Sequence, residues 1–185
     1  MHVLIVSHLY VGWCTLICMQ KKVFLLYVRN FIFGVEDSLV STVGMLAGIA
    51  SAGVTRSNIL IAGIVLIFVE AFSMFVGSFL SERATEESGD GYRASQSKSL
   101  PAALIMLVSY FLAGFIPLFP YFLTGEYPVV LFSVLVTLLA LFVLGLVSAR
   151  ILHTSFLHNG VRMLVIGGLA VFIGVVVGIV AQSIV

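Results

Sequence analysis

Long apolar runs alternate with short polar segments along the chain. Five runs are long enough for a helix that crosses the hydrocarbon core of a bilayer, which takes about 20 residues; they cover 31–54, 58–81, 101–124, 129–149 and 163–185. A further apolar run, 2–20, has three open interpretations: an extra span, a signal anchor or an extension. The pattern predicts an all-α, polytopic membrane protein with five core spans and a potential sixth at the N-terminus. We divide it into an N-terminal apolar extension, 1–26, and a five-span domain, 27–185.

Composition excludes several classes of protein. Of 185 residues, 61% are hydrophobic and 9% charged, and the mean hydropathy is +1.22, so no polar surface could cover the chain in water. A net charge of +1 offers no basic face for nucleic acid. Cys14 and Cys18 have no second cysteine pair to complete a disulfide framework or zinc site, and are interpreted as small apolar residues. No set of nucleophile, base and orienting group can be recognised, so an enzyme is not expected.

The positions of lysine and arginine predict the orientation, because these residues stay on the cytoplasmic side of span ends. Eight of the nine lie before the first core span, between the second and third, or between the fourth and fifth. Only Arg56 lies in the connection after the first core span. Segments Lys21–Arg29 and 81–100 are therefore predicted to be cytoplasmic, and Val185 is predicted to lie on the opposite side.

The segment 81–100 is the one polar stretch of the chain. It mixes Ser, Gly and charges of both signs, so it cannot bury a core and is predicted to be a cytoplasmic linker. Its acidic residues have two open interpretations: they gather cations at the mouth of a pathway, or they are ordinary residues of a solvated connection. They are Glu82, Glu86, Glu87 and Asp90.

Three acidic residues fall inside the predicted spans. Glu36 and Asp37 lie in the first core span and Glu70 near the middle of the second. An ionisable group at bilayer depth costs about 2.5 to 3.5 kcal/mol on insertion scales, so such residues usually face a bundle interior and mark an ion or proton path. These residues are the first candidates for function.

Helical geometry, at about 100° per residue, groups other residues with these carboxylates. On the first span the stripe is Asp37, Ser41, Gly44 and Gly48, with Met45 at its margin; on the second it is Gly63, Glu70, Met74, Gly77 and Ser81, flanked by Ser73 and Ser78. For the glycines and serines, helix packing is the competing interpretation. Packing does not require the carboxylates.

The chemistry of the stripes favours a metal pathway. Carboxylate oxygens suit hard divalent cations and a thioether favours softer ones, so the mixture points to Fe(II) or Mn(II) more than to Ca(II) or Na(I). Metal binding displaces protons from carboxylates, which gives a route to proton-coupled exchange. The metal would be cargo, and no resident cofactor is expected.

Prolines and glycines mark two further features. In FIPLFPYF, Pro117 and Pro120 remove backbone donors, so the third helix is predicted to kink or end there. In the last span, Gly174 and Gly178 belong to a glycine-rich surface predicted to pack closely against another helix.

Four segments, in this order on five spans, resemble the vacuolar iron transporter family. The segments are YVRNFIFGVEDSLVSTVGMLAGIASAGV, NILIAGIVLIFVEAFSMFVGSFLS, PLFPYFL and RMLVIGGLAVFIGVVVGIV. The resemblance implies a two-fold homodimer with an ion path at the subunit interface, lined by the first two helices. It implies movement of Fe(II) or Mn(II) out of the cytosol in exchange for protons, across the plasma membrane of a prokaryote or the vacuolar membrane of a eukaryote. The family's pore Asp and Met match Asp37 and Met74.

The chain departs from the family pattern at several positions. It has Glu36-Asp37-Ser38 where many members have Asn-Asp-Gly, Glu70 where a glycine is common, and Ser78 where the family has Glu. It is also a shortened form, because the linker stands where plant members carry a Glu-rich cytoplasmic metal-binding domain.

Three functions follow as hypotheses. The leading one is a divalent metal exporter in which Asp37 and Glu70 bind metal or protons, Met74 is a soft ligand and Glu36 an auxiliary acid. A proton-coupled exporter of organic cations would use Glu70 alone. A membrane interaction protein would keep the fold without transport.

Overall fold

Five long helices make up the described part of the protein. The structure, a computed structural model, describes residues 2–88, 98–123, 128–152 and 154–184, without the side chains of 2–19, 21, 86 and 88. The helices are α1 (His2–Ser51), α2 (Arg56–Ser88), α3 (Ser99–Leu118), α4 (Val129–Leu152) and α5 (Phe156–Ile184), with a 3-10 turn at Phe119–Phe122. Each helix contains a segment long and apolar enough to cross a membrane. The predicted all-α protein with five core spans is confirmed.

Several helix ends differ from those predicted. α1 is continuous for 50 residues, about 75 Å, so within 2–51 there is no reversal that would make residues 2–20 a separate crossing. α2 continues through the first part of the predicted linker to Ser88 because Glu, Arg and Ala favour helix, and Arg83 Nε donates to Glu87 Oε1 one turn away at 3.0 Å. α5 begins at Phe156 rather than at residue 163. Asp90 and the rest of the linker up to residue 97 lie outside the described residues.

Helix α1 lies at the centre of the bundle. It packs against α3, α5 and α4, whereas α2 packs mainly against α3. Leu39, Leu46 and Leu141 are fully buried in the interior. Large apolar side chains such as Phe72 and Phe172 are about two-thirds exposed, at 63% and 65%. An apolar outer surface of this kind is suited to lipid.

The α3–α4 turn is stabilised by neighbouring helices. α3 ends at Leu118 and passes into the 3-10 turn, as the prolines predict. Ser133 Oγ donates to the Pro117 carbonyl oxygen at 2.6 Å. Arg56 Nε donates to the Tyr121 carbonyl oxygen at 2.8 Å, and its other end contacts the carbonyl of Leu123. Side-chain donors thus satisfy three backbone carbonyls at the end of α3 and in the turn that follows it.

Glycines bring α1 and α5 into backbone contact. A Cβ on Gly48 would lie 2.6 Å from the Gly174 carbonyl oxygen, and one on Gly178 would overlap the Gly48 carbonyl oxygen. Gly44 faces Gly174 in the same way. Small residues permit such close approach between membrane helices. Within the described part of the chain nothing lies within 4 Å of the Cβ position of Gly77, and its packing role stays a prediction.

The helix order collects basic residues at one end of the bundle. α1 begins at this end, α2 finishes there, α3 begins there, and α4 and α5 meet there. We call it the basic end; its described basic residues are Lys22, Arg29, Arg83, Lys98, Arg150 and Arg162. Arg56 lies at the opposite end, beside the α3–α4 turn. That the basic end faces the cytoplasm stays a prediction.

Candidate functional site

The two carboxylates in the middle of α1 and α2 lie near each other. Asp37 is close to the midpoint of the apolar segment Lys22–Ser51, and Glu70 to that of Arg56–Thr85. Both side chains are partly buried, and hydrogen bonds through the Tyr110 hydroxyl link Glu70 to Ser41, which lies one helical turn from Asp37. The structure therefore brings together two of the residues singled out from the sequence.

A tyrosine on α3 connects the carboxylate of α2 to α1. The Tyr110 hydroxyl donates to Glu70 Oε2 and lies 2.8 Å from Ser41 Oγ. Ser38 Oγ donates to the Tyr110 carbonyl oxygen at 2.7 Å, and Tyr110 has no exposed surface. Sequence reasoning missed Tyr110. The only signal was a phenol in the middle of an apolar span, which is also typical of an interior aromatic residue.

Polar and sulfur-containing side chains continue from the carboxylates toward the basic end. On α2, Glu70, Met74, Ser78 and Glu82 recur every four residues, a step of about 6 Å. Ser78 Oγ donates to Asn30 Oδ1 of α1 at 2.7 Å, in a buried hydrogen bond. We call these four residues of α2 and their partners on α1 and α3 the polar ladder.

An ion pair closes the ladder at the basic end. The Arg29 guanidinium of α1 contacts Glu82 Oε1 of α2. The Glu82 side chain is only 13% exposed, whereas the Arg29 side chain is 69% exposed. The carboxylate is therefore shielded by the protein, and the guanidinium covers it on the solvent side.

A cavity of about 600 Å³ lies between the ion pair and the middle of the ladder. Met106 of α3 enters it beside Met74, so two thioethers line the cavity. Met106 was not among the predicted site residues, because a methionine in an apolar span is also a common gap filler. The lining residues are Arg29, Asn30, Phe33, Met74, Gly77, Ser78, Ser81, Glu82 and Met106.

Some predicted site residues lie away from the ladder. Glu36 is one position, about 100°, around α1 from Asp37, and it lies within electrostatic range of Arg162 on α5. Met45 lines a separate, largely apolar groove between α1 and α5. Ser73 is exposed on the outer face of α2, and Glu87 pairs with Arg83 at the surface. The side chain of Glu86 is outside the described residues.

The ladder alone does not supply a full set of ionisable metal ligands. Among the described residues, no three His, Cys, Asp or Glu side chains come together in a group that could hold a metal ion. Asp37 and Glu70 are thus a pair of carboxylates, which further ligands of another kind or from a second chain would have to complete.

Comparison with known proteins assigns the chain to a family. A sequence profile of the VIT family matches residues 28–100 and 84–179, which together include part or all of each of the five helices. The chain belongs to the VIT family. This is a family of transporters rather than of enzymes.

Curated relatives of this VIT-family chain are plant proteins named Vacuolar iron transporter 1. The protein of Arabidopsis thaliana is 23% identical over 206 aligned positions, with 77% of this chain and 81% of the relative covered. That of Tulipa gesneriana is 24% identical, with 77% and 82% covered. The 206 positions exceed the whole 185-residue chain, so the relative has residues that this VIT-family chain lacks. The two profile matches overlap at 84–100, between α2 and α3.

Proposed function

We propose that this protein transports Fe(II) or Mn(II) out of the cytosol by proton antiport, as a homodimer with the polar ladder at the subunit interface. Membership in the VIT family supports metal-ion transport. The observation that carries the proposal is that Asp37 and Glu70 both lie at mid-span, on two helices that hydrogen bonds through Tyr110 join at this depth. Bringing two carboxylates to this depth costs free energy, and helix packing does not require it.

The ligand types of the ladder favour a divalent ion of borderline softness. Asp37 and Glu70 supply oxygen ligands, and Met74 and Met106 supply thioether sulfur one turn nearer the basic end. This combination suits Fe(II) and Mn(II) better than Ca(II). A second copy of the chain would bring its own Asp37 and Glu70 and complete the ligand set.

Charge balance couples metal movement to protons. A divalent ion neutralises two carboxylates, and when the ion leaves, two charges at bilayer depth must be neutralised again. Protons that arrive from the side opposite the cytosol neutralise the two carboxylates, and the next metal ion displaces these protons toward the cytosol. The result is exchange of metal for protons.

Proteoliposomes containing the full chain test the proposal. We expect a proton gradient to drive uptake of Mn(II), or of Fe(II) under reducing conditions, and Asp37→Asn or Glu70→Gln to abolish it. The control is Glu87→Gln, which removes one carboxylate charge from the exposed surface pair and leaves transport unchanged. Absence of metal uptake by the wild-type protein, or normal uptake by the Asp37→Asn/Glu70→Gln double variant, contradicts the proposal. Gradient-driven uptake of the organic cation ethidium without metal uptake would favour an organic-cation exporter instead.

A further inference from the structure

The ion pair at the basic end of the ladder joins opposite charges in unequal surroundings. Glu82 is largely withdrawn from solvent, and Arg29 reaches it from the exposed side. An arginine cannot lose its charge by deprotonation in a protein. Glu82 therefore keeps a cation beside it for as long as Arg29 stays in place.

The cavity behind this ion pair contains ligands suited to a metal ion. Met74 and Met106 contribute sulfur, and Asn30 and Ser78 contribute amide and hydroxyl groups. Asn30 and Ser78 bond to each other, forming a second link between α1 and α2 one turn below the ion pair. Glu82 lies at the end of this cavity nearest the basic end, one turn of α2 beyond Ser78.

We propose that Arg29 is a tethered cation that an incoming divalent metal ion displaces from Glu82, so that the mouth of the ladder is a cation-exchange gate. This inference rests on the proposed transport function and adds a first binding position, formed by Glu82 with Asn30 and Ser78. The guanidinium occupies Glu82 Oε1, so a metal ion that binds this oxygen must displace Arg29 from it. A divalent ion carries twice the charge of Arg29 and gains oxygen and sulfur ligands in the cavity that the guanidinium does not use.

The gate makes a specific prediction about metal affinity. Arg29→Gln removes the competitor without removing a metal ligand, so the concentration of Mn(II) giving half-maximal uptake falls about fivefold, the factor that corresponds to an ion pair of moderate strength. Arg29→Lys keeps a cation and retains most of the wild-type value. Glu82→Gln raises the half-maximal concentration, and adding Arg29→Gln to it produces no further change, because both residues act through one interaction.

Arg83→Gln is the matched control. It removes the same charge from the position next to Glu82, at the same end of the bundle, and breaks the exposed pair with Glu87. We expect its half-maximal Mn(II) concentration to equal that of the wild type. An equal fall for Arg83→Gln and Arg29→Gln would mean that general surface charge is responsible, and would overturn the gate.

A labelling experiment measures the same site without transport. Gly77 lines the cavity and has open space at its Cβ position, so Gly77→Cys provides a reporter in the full chain with Cys14 and Cys18 replaced by serine. We expect a water-soluble methanethiosulfonate reagent to modify it faster when Arg29→Gln is present. We also expect Mn(II) to slow that modification, with a midpoint about fivefold lower than with Arg29 intact.

The two experiments separate this inference from the proposed function. Wild-type transport with no effect of Arg29→Gln on either midpoint overturns the gate and leaves the transport proposal standing. Protection by Mn(II) that depends on Arg29 and Glu82, in a protein that moves no metal, supports the gate as a binding site and contradicts transport. If Mn(II) slows the modification of Gly77→Cys in none of the variants, the gate is overturned.

Discussion

Tyr110 shows how a neutral group can stabilise a carboxylate inside a membrane bundle. Its hydroxyl joins Glu70 of α2 to Ser41 of α1, while its own backbone accepts a hydrogen bond from Ser38. A hydrogen bond to a charged group contributes about 1.5 to 3 kcal/mol, more than one between neutral groups. The phenol thus orients the Glu70 side chain between α2 and α1.

Removal of this hydroxyl should reduce transport and stability together. In Tyr110→Phe, Glu70 loses a donor at bilayer depth, so we expect the free energy of unfolding to fall by about 2 kcal/mol and the half-maximal Mn(II) concentration to rise. Thermal denaturation in detergent and uptake into liposomes measure the two effects.

Tyr121→Phe is the matched control for Tyr110→Phe. The Tyr121 hydroxyl is buried and has no hydrogen-bond partner among the described residues. Its removal leaves no other group unsatisfied, so stability should be unchanged or slightly higher. Equal losses in the two variants would contradict the role assigned to the Glu70 hydrogen bond.

Residues that break the apolar pattern could be found from the sequence, and those that fit it could not. Asp37 and Glu70 are visible because a charge inside a span is costly. Tyr110 and Met106 are compatible with an ordinary helix interior, and their positions beside Glu70 and Met74 depend on the register between α3 and α2. The pattern of apolar residues along the chain does not reveal that register.

At the scale of elements, the contact between α1 and α5 depends on glycines, which have no Cβ and so let the two backbones touch. Gly44 and Gly48 meet Gly174 and Gly178 with backbone against backbone. This packing holds α5 against the central helix, and Ser51 Oγ of α1 also donates to the Val175 carbonyl oxygen of α5 at 3.4 Å. Dispersion contacts of this kind are a main source of helix association in a bilayer.

Gly178→Ala tests the backbone contact. A Cβ there would overlap the Gly48 carbonyl oxygen, so the helices must separate, and we expect a loss of about 1 to 3 kcal/mol in the free energy of unfolding. In the control Gly168→Ala, on the same helix, nothing in the described chain lies within 4 Å of the new Cβ, and the gain in helix propensity makes it neutral or stabilising. Thermal denaturation compares the two, and a stable Gly178→Ala variant would argue against the close packing.

The sequence predicted the number and order of helices better than their ends. Hydropathy identifies the part of a helix inside lipid, and the five spans follow from it. α2 extends to Ser88 because Glu82, Arg83 and Glu87 are compatible with helix in water as well as with a linker. Proline gave the sharpest boundary, at the end of α3, because it removes a backbone donor.

At the scale of the whole molecule, the proposed metal pathway needs more ligands than the described part of one chain brings together. No group of three ionisable metal ligands is present among the described residues. The outer face of α2 beside Glu70 is apolar apart from Ser73, and Phe72 on it is 63% exposed. Pairing of two such faces around a two-fold axis would bring two copies of the ladder together.

Cysteine cross-linking tests this pairing. With Cys14 and Cys18 replaced by serine, we expect Ser73→Cys to form an intermolecular disulfide in native membranes, because a two-fold axis beside α2 juxtaposes the two copies of residue 73. The control Val165→Cys is on the exposed face of α5 and should stay monomeric on non-reducing gels. Cross-linking of Val165→Cys alone would place the dimer interface on α5.

The four ladder residues of α2 lie on one face of the helix because they are spaced four residues apart. Their direction around the helix therefore depends on the number of residues between them. One residue inserted between Glu70 and Glu82 would turn Glu82 by about 100° away from Arg29 and leave Glu70 beside Tyr110. An insertion after Ser88 would rotate none of the ladder residues of α2. Gains and losses of sequence during the divergence of such chains are therefore expected to accumulate between α2 and α3, where the two family matches overlap, and to be rare within α2 itself.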